Sequence, residues 1–178
     1  MTSRIFNFRL FAVTVSLMTA LSLCQAQDAR TMGSLIGQSL SKLQEDASPE
    51  AFQNCVAELK RIDAMYPGQA APKYYTALQS LNFAVMNPRA EQAEGMIAEA
   101  EQAIAQLEEI PEADQSDLCT LKGFLYMVRI VQNPAVNGQR YYLDVMNYYE
   151  KALKLNPDNQ LAKQLQQKFY EGMNSSRQ

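Results

Sequence analysis

The sequence predicts an all-α protein of seven helices, and three observations lead to this prediction. Helix-forming residues dominate after residue 27, and no run of β-branched residues alternates with polar ones as a strand would require. Proline-containing breaks interrupt this stretch at intervals. Three of the prolines, Pro67, Pro111 and Pro157, are 44 and 46 residues apart. A regular spacing of this length is typical of stacked helical hairpins.

Each predicted helix lies between two consecutive breaks. Proline lacks the backbone N–H that a helix interior requires, so each break ends one helix before the next begins. The breaks are, in order, Ser48-Pro49, Tyr66-Pro67-Gly68, Asn87-Pro88, Ile110-Pro111, Asn133-Pro134 with Asn137-Gly138, and Asn156-Pro157-Asp158. The helices are therefore predicted at 29–46, 49–65, 71–86, 89–109, 114–132, 139–155 and 158–172.

Apolar or small residues at helical spacing support individual helices. The fourth carries a continuous stripe, which leaves its glutamates on a solvated face; the stripe is Ala93, Ile97, Ala100, Ile104 and Leu107. The second and sixth carry such residues at i, i+4 and i+7, and each set begins twelve residues before a proline. These two sets are Cys55, Leu59 and Ile62, and Val145, Tyr149 and Ala152. The last helix, with Leu161, Leu165 and Phe169, fits a capping helix.

The end of the sixth helix resembles a tetratricopeptide repeat. That repeat has a small residue, an aromatic residue four later, an alanine three further on and then a proline, and Val145, Tyr149, Ala152 and Pro157 supply this pattern. Three upstream sets resemble other parts of the repeat: Gly123 with Tyr126, Tyr74 with Ala77, Leu78 and Leu81, and Ile62 with Tyr66-Pro67-Gly68. The chain is also similar to small secreted repeat proteins of Gram-negative bacteria. The resemblance implies a solenoid of α-α hairpins.

The units are about ten residues longer than a standard repeat. The stretch from Asn133 to Gly138 is predicted to be an extra loop between the fifth and sixth helices. We therefore expect about three long repeats and a C-terminal capping helix in one helical repeat domain at 27–172. Residues 173–178 are expected to be a disordered tail.

Residues 1–26 are predicted to be a secretory signal peptide. Two arginines are the only charged residues in 1–27, and 10–23 contain no charge. This apolar run is shorter than the about 20 residues that a membrane-spanning helix needs, so we expect no membrane span. Ala26 is small, as a cleavage site requires, and we expect cleavage between Ala26 and Gln27.

Cleavage would release the protein into the periplasm or the medium. A lipoprotein signal that acylates Cys24 is the alternative, although Leu23 stands where that signal usually has Gly, Ala or Ser. Cleavage removes two of 16 basic residues and none of 19 acidic ones, which leaves a net charge of −5. Because the chain has no basic stripe, we expect neither nucleic acid nor an anionic membrane surface as a partner.

The composition argues against most catalytic chemistry. The chain contains no His, which excludes catalytic triads based on His and zinc sites with His ligands. Calcium-binding loops and glycine-rich phosphate loops are absent from the sequence. We therefore predict that the protein is not an enzyme, with no catalytic residues, no metal site and no cofactor.

Two cysteines, Cys55 and Cys119, remain in the mature chain. Both occupy positions that suit small buried residues, so we expect free thiols in the core. A disulfide between them is possible in an oxidising compartment, but a linear stack places their helices a whole repeat apart.

The third and fifth helices are expected to line a groove. If Tyr74, Leu78 and Leu81 pack inward, the opposite sides of these helices face a partner. The predicted groove residues are Tyr75, Gln79, Asn82, Phe83, Thr120, Phe124 and Met127, with Val128 beside them. Tyrosine pairs at 74–75, 141–142 and 148–149 could be divided between the core and a binding surface.

These features predict a non-catalytic module that binds a protein or peptide of the bacterial envelope in its groove. The alternative is a carbohydrate or small ligand bound on a tyrosine-rich surface. An enzyme that uses carboxylates or tyrosines alone is a third reading, and it would need a pair of desolvated acids.

Overall fold

The computed structural model describes residues 28–175. The predicted signal peptide, the expected cleavage site and Cys24 lie outside this range, as do residues 176–178. Residues 28–175 form seven helices and no strand, which confirms the all-α prediction. No helix in this range is both long enough and apolar enough to cross a membrane.

The seven helices follow the predicted order. They are α1 (28–45), α2 (Pro49–Met65), α3 (Ala70–Met86), α4 (Ala93–Glu108), α5 (Gln115–Gln132), α6 (Pro134–Leu155) and α7 (Gln160–Ser175). Helix α4 begins four residues later than predicted, because consecutive turns occupy the chain from Asn87 to Ala93. Helix α7 continues to Ser175, so the first three residues of the expected tail are helical.

The predicted loop from Asn133 to Gly138 is wrong, because α6 begins at Pro134. The Asn133 side chain caps this helix by accepting a hydrogen bond from the Val136 backbone N–H at 3.3 Å. Proline at the first helical position costs no hydrogen bond, since that N–H has no partner within the helix. Asn137 is also helical and donates from Nδ2 to the Arg129 carbonyl at 2.6 Å. Helices α5 and α6 are therefore joined by Asn133 alone.

Two other helices begin at the caps that their sequences provide. Ser48 Oγ accepts a hydrogen bond from the Ala51 N–H at 3.2 Å at the start of α2. Asp114 Oδ1 accepts a hydrogen bond from the Asp117 N–H at 2.9 Å at the start of α5. The turn after α2 contains Gly68 with φ of +81°, a left-handed conformation that favours glycine.

The described residues fall into two units, 28–38 and 39–175. In the first unit, residues 28–38 are helical. The second unit contains the rest of α1 and all of α2 to α7. The helices of the second unit pack in sequential, adjacent pairs: α2 with α3, α3 with α4, α4 with α5, α5 with α6 and α6 with α7. Helix α3 also contacts α5, and α5 also contacts α7.

One hydrophobic cluster runs through the second unit from α3 to α7. Its fully buried members include Leu81, Ile97, Leu121, Val145 and Tyr149. The Tyr149 ring lies directly on Gly123, so that a Cβ added to this glycine would be 2.7 Å from Tyr149 Cε1. Gly123 and Tyr149, two of the residues that the sequence matched to the repeat pattern, therefore pack against each other between α5 and α6.

A network around Asn159 attaches the start of α7 to α5. Its Nδ2 donates to Ser116 Oγ at 2.9 Å, to Asp117 Oδ1 at 3.0 Å and to Thr120 Oγ1 at 3.2 Å. Its Oδ1 accepts from the Ala162 N–H at 3.0 Å, which caps α7. Asn159 is 7% exposed, so these bonds are shielded from water.

Candidate functional site

The structure buries five of the seven predicted groove residues. Phe83, Thr120 and Phe124 are almost completely buried, and Gln79 and Met127 are each 9% exposed. These five side chains belong to the packing between helices, so they are not available as anchors for a partner. Val128 is fully buried as well.

The buried aromatic residues have partners inside the protein. Phe83 meets Phe52 of α2 edge-on, with ring centroids 6.4 Å apart. Phe124 lies in the main hydrophobic cluster. Thr120 Oγ1 donates to the Ser116 carbonyl of its own helix at 2.8 Å and accepts from Asn159. The side of α5 that was expected to face a groove therefore packs inside the protein.

Tyr75 and Asn82 remain accessible, and they share one face of α3 with two residues that the groove prediction omitted. The four residues follow one another at i, i+3, i+7 and i+11, which places them on one side of the helix. Tyr75, Leu78 and Asn82 are half-buried and Met86 is 57% exposed. We call Tyr75, Leu78, Asn82 and Met86 the α3 strip. Asn82 Nδ2 donates to Gln79 Oε1 at 3.1 Å, which restrains its amide.

A pocket lies next to the α3 strip, between the first turns of α3 and α5. Its volume is about 280 Å³, and Tyr75 belongs to both the pocket and the strip. We call this cavity the α3/α5 pocket; its lining residues are Ala70, Ala71, Tyr74, Tyr75, Leu107, Ala113, Asp114, Asp117 and Leu118. The wall is mostly apolar, and the two carboxylates give it negative charge.

The titratable groups of the pocket influence one another. Burial raises the pKa of Asp117, and the nearby charge of Asp114 raises it further, while the hydrogen bond from Asn159 opposes both effects. Burial and the same two carboxylates raise the pKa of Tyr74 far above its usual value, so its hydroxyl stays protonated. Tyr74 and Tyr75 meet edge to face, with ring centroids 5.1 Å apart.

The sequence interpretation missed Leu78, Asp114 and Asp117. It assigned Leu78 to the core with Tyr74 and Leu81, yet of these three only Leu81 is fully buried. It did not consider the two aspartates, whose spacing is the signature of a helix cap. Helical periodicity shows which residues share one face of a helix, but it does not show how many faces of that helix pack against other helices.

A row of tyrosines forms a second accessible surface, between α5 and α6. The ring centroid of Tyr126 lies 5.1 Å from that of Tyr141 and 5.7 Å from that of Tyr148. Lys122 lies over the Tyr148 ring at 5.7 Å and Arg140 over the Tyr141 ring at 4.9 Å. All three tyrosines are half-buried. We call these three residues the tyrosine row.

Cys55 and Cys119 are both buried free thiols, so the structure contains no disulfide between them. The Ser39 Oγ lies 3.5 Å from Cys55 Sγ. Cys119 packs with Ala152 and Ala162 in a separate small cluster. Burial raises the pKa of each thiol, which disfavours the reactive thiolate.

Both thiols should therefore resist modification in the folded protein. We expect an aromatic disulfide reagent at neutral pH to react slowly with residues 27–178 and to find two thiols once denaturant is added. The intact mass of the untreated protein should correspond to two reduced cysteines. Fast native reaction, or a mass lower by two hydrogen atoms, would contradict this expectation.

Within residues 28–175, no three Cys, Asp or Glu side chains come together in a way that could hold a metal ion. What the site offers is an accessible apolar and amide surface beside a negatively charged pocket. Comparison with protein-family models, with curated proteins and with solved structures finds no match.

Proposed function

We propose that the protein is a non-catalytic binding module that holds a segment of another protein on the α3 strip and in the α3/α5 pocket. One observation carries the proposal. Helix α3 packs against α2, α4 and α5, yet it leaves a row of apolar and amide side chains accessible beside a pocket. A continuous surface of this kind suits an extended or helical peptide.

Different parts of the surface would contribute differently to binding. Tyr75 and Leu78 supply apolar contact area, and Tyr has only two side-chain torsions to immobilise. Asn82 offers hydrogen bonds that would fix the register of the peptide. Asp114 and Asp117 make the pocket attractive to a basic side chain of the partner, because opposite charges stabilise each other where water is partly excluded.

The proposal also covers the repeat architecture of the protein and its location in the cell. The contacts of α3 with α5 and of α5 with α7 support a stack of tetratricopeptide-like hairpins whose concave side carries the α3 strip. Cleavage of the predicted signal peptide would place this module in the periplasm or outside the cell. The partner would then be an envelope protein or peptide.

Immobilised residues 27–178 test the proposal in a pull-down from a Gram-negative envelope extract. We expect the double variant Tyr75→Ala, Asn82→Ala to lose the captured partner, with a loss of affinity of about tenfold or more. The matched control is Leu143→Ala, which truncates a side chain that is 67% exposed on α6. A strip variant that is folded and retains every partner would refute the proposed surface.

The carbohydrate alternative is supported by the tyrosine row. Accessible tyrosine rings flanked by Lys122 and Arg140 present both apolar area and hydrogen-bond donors, which suits a sugar. A glycan array separates the two functions. Binding that is lost with Tyr126→Leu and kept with Tyr75→Ala would favour the carbohydrate reading over the peptide reading.

A further inference from the structure

The α3/α5 pocket combines an apolar wall with two carboxylates, and its size suits one side chain of a partner. Sites for whole small molecules usually have volumes of about 300–1,000 Å³. The α3/α5 pocket, at about 280 Å³, lies just below this range. Its aliphatic lining residues are Ala70, Ala71, Leu107, Ala113 and Leu118.

Both carboxylates are accessible and neither forms an ion pair with another residue of 28–175. Asp114 is exposed and Asp117 is half-buried. Each uses one oxygen in a hydrogen bond, since Asp114 Oδ1 accepts the Asp117 N–H and Asp117 Oδ1 accepts from Asn159 Nδ2. The ion pairs within residues 28–175 use other acidic residues. The second oxygen of each aspartate is therefore available to a cation.

Two tyrosine rings favour the same kind of ligand. Tyr74 and Tyr75 line the pocket, are half-buried and meet edge to face. The face of an aromatic ring attracts a cation, and the attraction is larger where water is partly excluded. A cation would also offset the effect of burial and of the Asp114 charge, which together raise the pKa of Asp117. Aromatic and acidic walls thus suit a positively charged group that carries apolar atoms.

We propose that the α3/α5 pocket binds an arginine side chain of the partner segment, an assignment that rests on the proposed peptide-binding function. The guanidinium group would donate to Asp114 and Asp117, and its flat face would lie against the Tyr75 ring. The arginine methylene groups would pack on the aliphatic wall. A guanidinium group is planar and more weakly hydrated than an ammonium group, so arginine fits this pocket better than lysine.

The α3 strip determines where this arginine would lie in the partner segment. Tyr75 belongs to the pocket and begins the strip, and Met86 ends the strip eleven residues later. This separation is about 16 Å along the helix axis. An extended peptide covers that distance in about five residues. The partner segment would therefore carry an arginine at one end and an apolar residue about five positions away.

NMR titration of ¹⁵N-labelled residues 27–178 with N-acetyl-L-arginine amide tests recognition in the pocket. We expect saturable shifts of backbone amides in the first turns of α3 and α5, with a Kd on the order of 1 mM. N-acetyl-L-citrulline amide has nearly the same shape without the charge, and it should bind at least about tenfold more weakly. N-acetyl-L-lysine amide should also bind more weakly. The absence of saturable shifts, or equal binding of the citrulline or the lysine compound, would overturn the proposal.

The double variant Asp114→Asn, Asp117→Asn removes both charges and keeps both hydrogen-bond acceptors. Because asparagine caps a helix as well as aspartate does, we expect it to fold with an unchanged or higher melting temperature. It should weaken binding of N-acetyl-L-arginine amide by about tenfold. The matched control is Glu91→Gln, Glu150→Gln, which removes two exposed charges outside the pocket and should leave binding unchanged. Unchanged binding by the folded aspartate variant would overturn the proposal.

The pull-down from envelope extract separates this proposal from the proposed function. A partner that is lost with Tyr75→Ala, Asn82→Ala should also be lost with Asp114→Asn, Asp117→Asn. If the aspartate variant retains a partner that the strip variant loses, the arginine assignment is overturned and the proposed function stands. A folded strip variant that retains every partner would overturn the proposed function, and with it the assignment of the arginine to a partner.

Discussion

Tyr149→Ala should lower the free energy of unfolding by about 3–5 kcal/mol. The Tyr149 ring is fully buried between α5 and α6, and its contact surface includes the Gly123 backbone. Truncation removes the apolar contacts and leaves a cavity that the two helices cannot close without moving. The Tyr149 hydroxyl donates a hydrogen bond to Met127 Sδ at 3.8 Å, and a thioether sulfur is a weak acceptor, so Tyr149→Phe should change stability much less.

Gly123→Ala tests whether the contact with the Tyr149 ring is the reason that position 123 requires a glycine. In the unmodified protein the added Cβ would be 2.7 Å from the buried ring, and we expect destabilisation of about 1–3 kcal/mol. In the Tyr149→Ala background the clash is absent, and the same change should stabilise the helix by up to about 1 kcal/mol.

Urea denaturation of the four proteins in this double-mutant cycle provides the measurement. Gly138→Ala on α6 is the control, because a Cβ there meets no atom within 4 Å and should be neutral or stabilising. An equal effect of Gly123→Ala in both backgrounds would show that the Tyr149 contact does not account for the glycine.

Asn159→Ala should lower the free energy of unfolding by about 2–4 kcal/mol. The variant loses the cap of α7, which is worth about 1 kcal/mol, and the hydrogen bonds that the two amide hydrogens of Asn159 share among three acceptors on α5. Removing the Asn159 amide also removes the hydrogen bond that lowers the pKa of Asp117, so this pKa should rise further. Because burial makes the Asp117 charge unfavourable, stability should decrease as pH rises through its pKa, and more steeply in the variant.

Asn159→Asp separates the cap from the network. The aspartate can still accept the Ala162 N–H, but it cannot donate to α5 and adds a negative charge beside Asp117. We expect it to be destabilising at neutral pH and less so in acid, as measured by urea denaturation across pH. Asn147→Ala, at an exposed position on α6, should change stability by less than about 0.5 kcal/mol. Equal stability of Asn159→Ala and the unmodified protein would contradict a structural role for the network.

The number and order of the helices could be predicted because prolines and caps mark their ends locally. The error at Asn133-Pro134 has a local cause as well, since the same dipeptide is compatible with a loop and with a capped helix that has proline at its first position. Only the packing of α6 along the length of α5 distinguishes the two cases. Gly138 added to the misinterpretation, although it lies within a helix.

The accessible residues of the proposed binding surface were harder to predict than the fold. For Tyr75 and Asn82 the predicted accessible face is close to the observed one, whereas Phe83 and Phe124 are buried. Helical periodicity identifies residues that share a side, but α3 has neighbours on three sides and α5 on four. The number of helices that pack against α3 or α5 depends on contacts between residues distant in sequence. Phe83 and Phe124 were expected to be accessible because the sequence does not show which helices cover them.

In the second unit, most helices pack against their neighbours in sequence, so different helices can unfold locally at different times. Among the helix pairs of residues 39–175 that pack substantially, α7 contacts α5 and α6, and α6 contacts α5 and α7. Subglobal unfolding could therefore release the last two helices while α3 keeps its neighbours α2 and α4. Slow amide hydrogen exchange in α3, with faster exchange in α7, would show that the α3 strip keeps its structure while the carboxyl-terminal helices unfold locally.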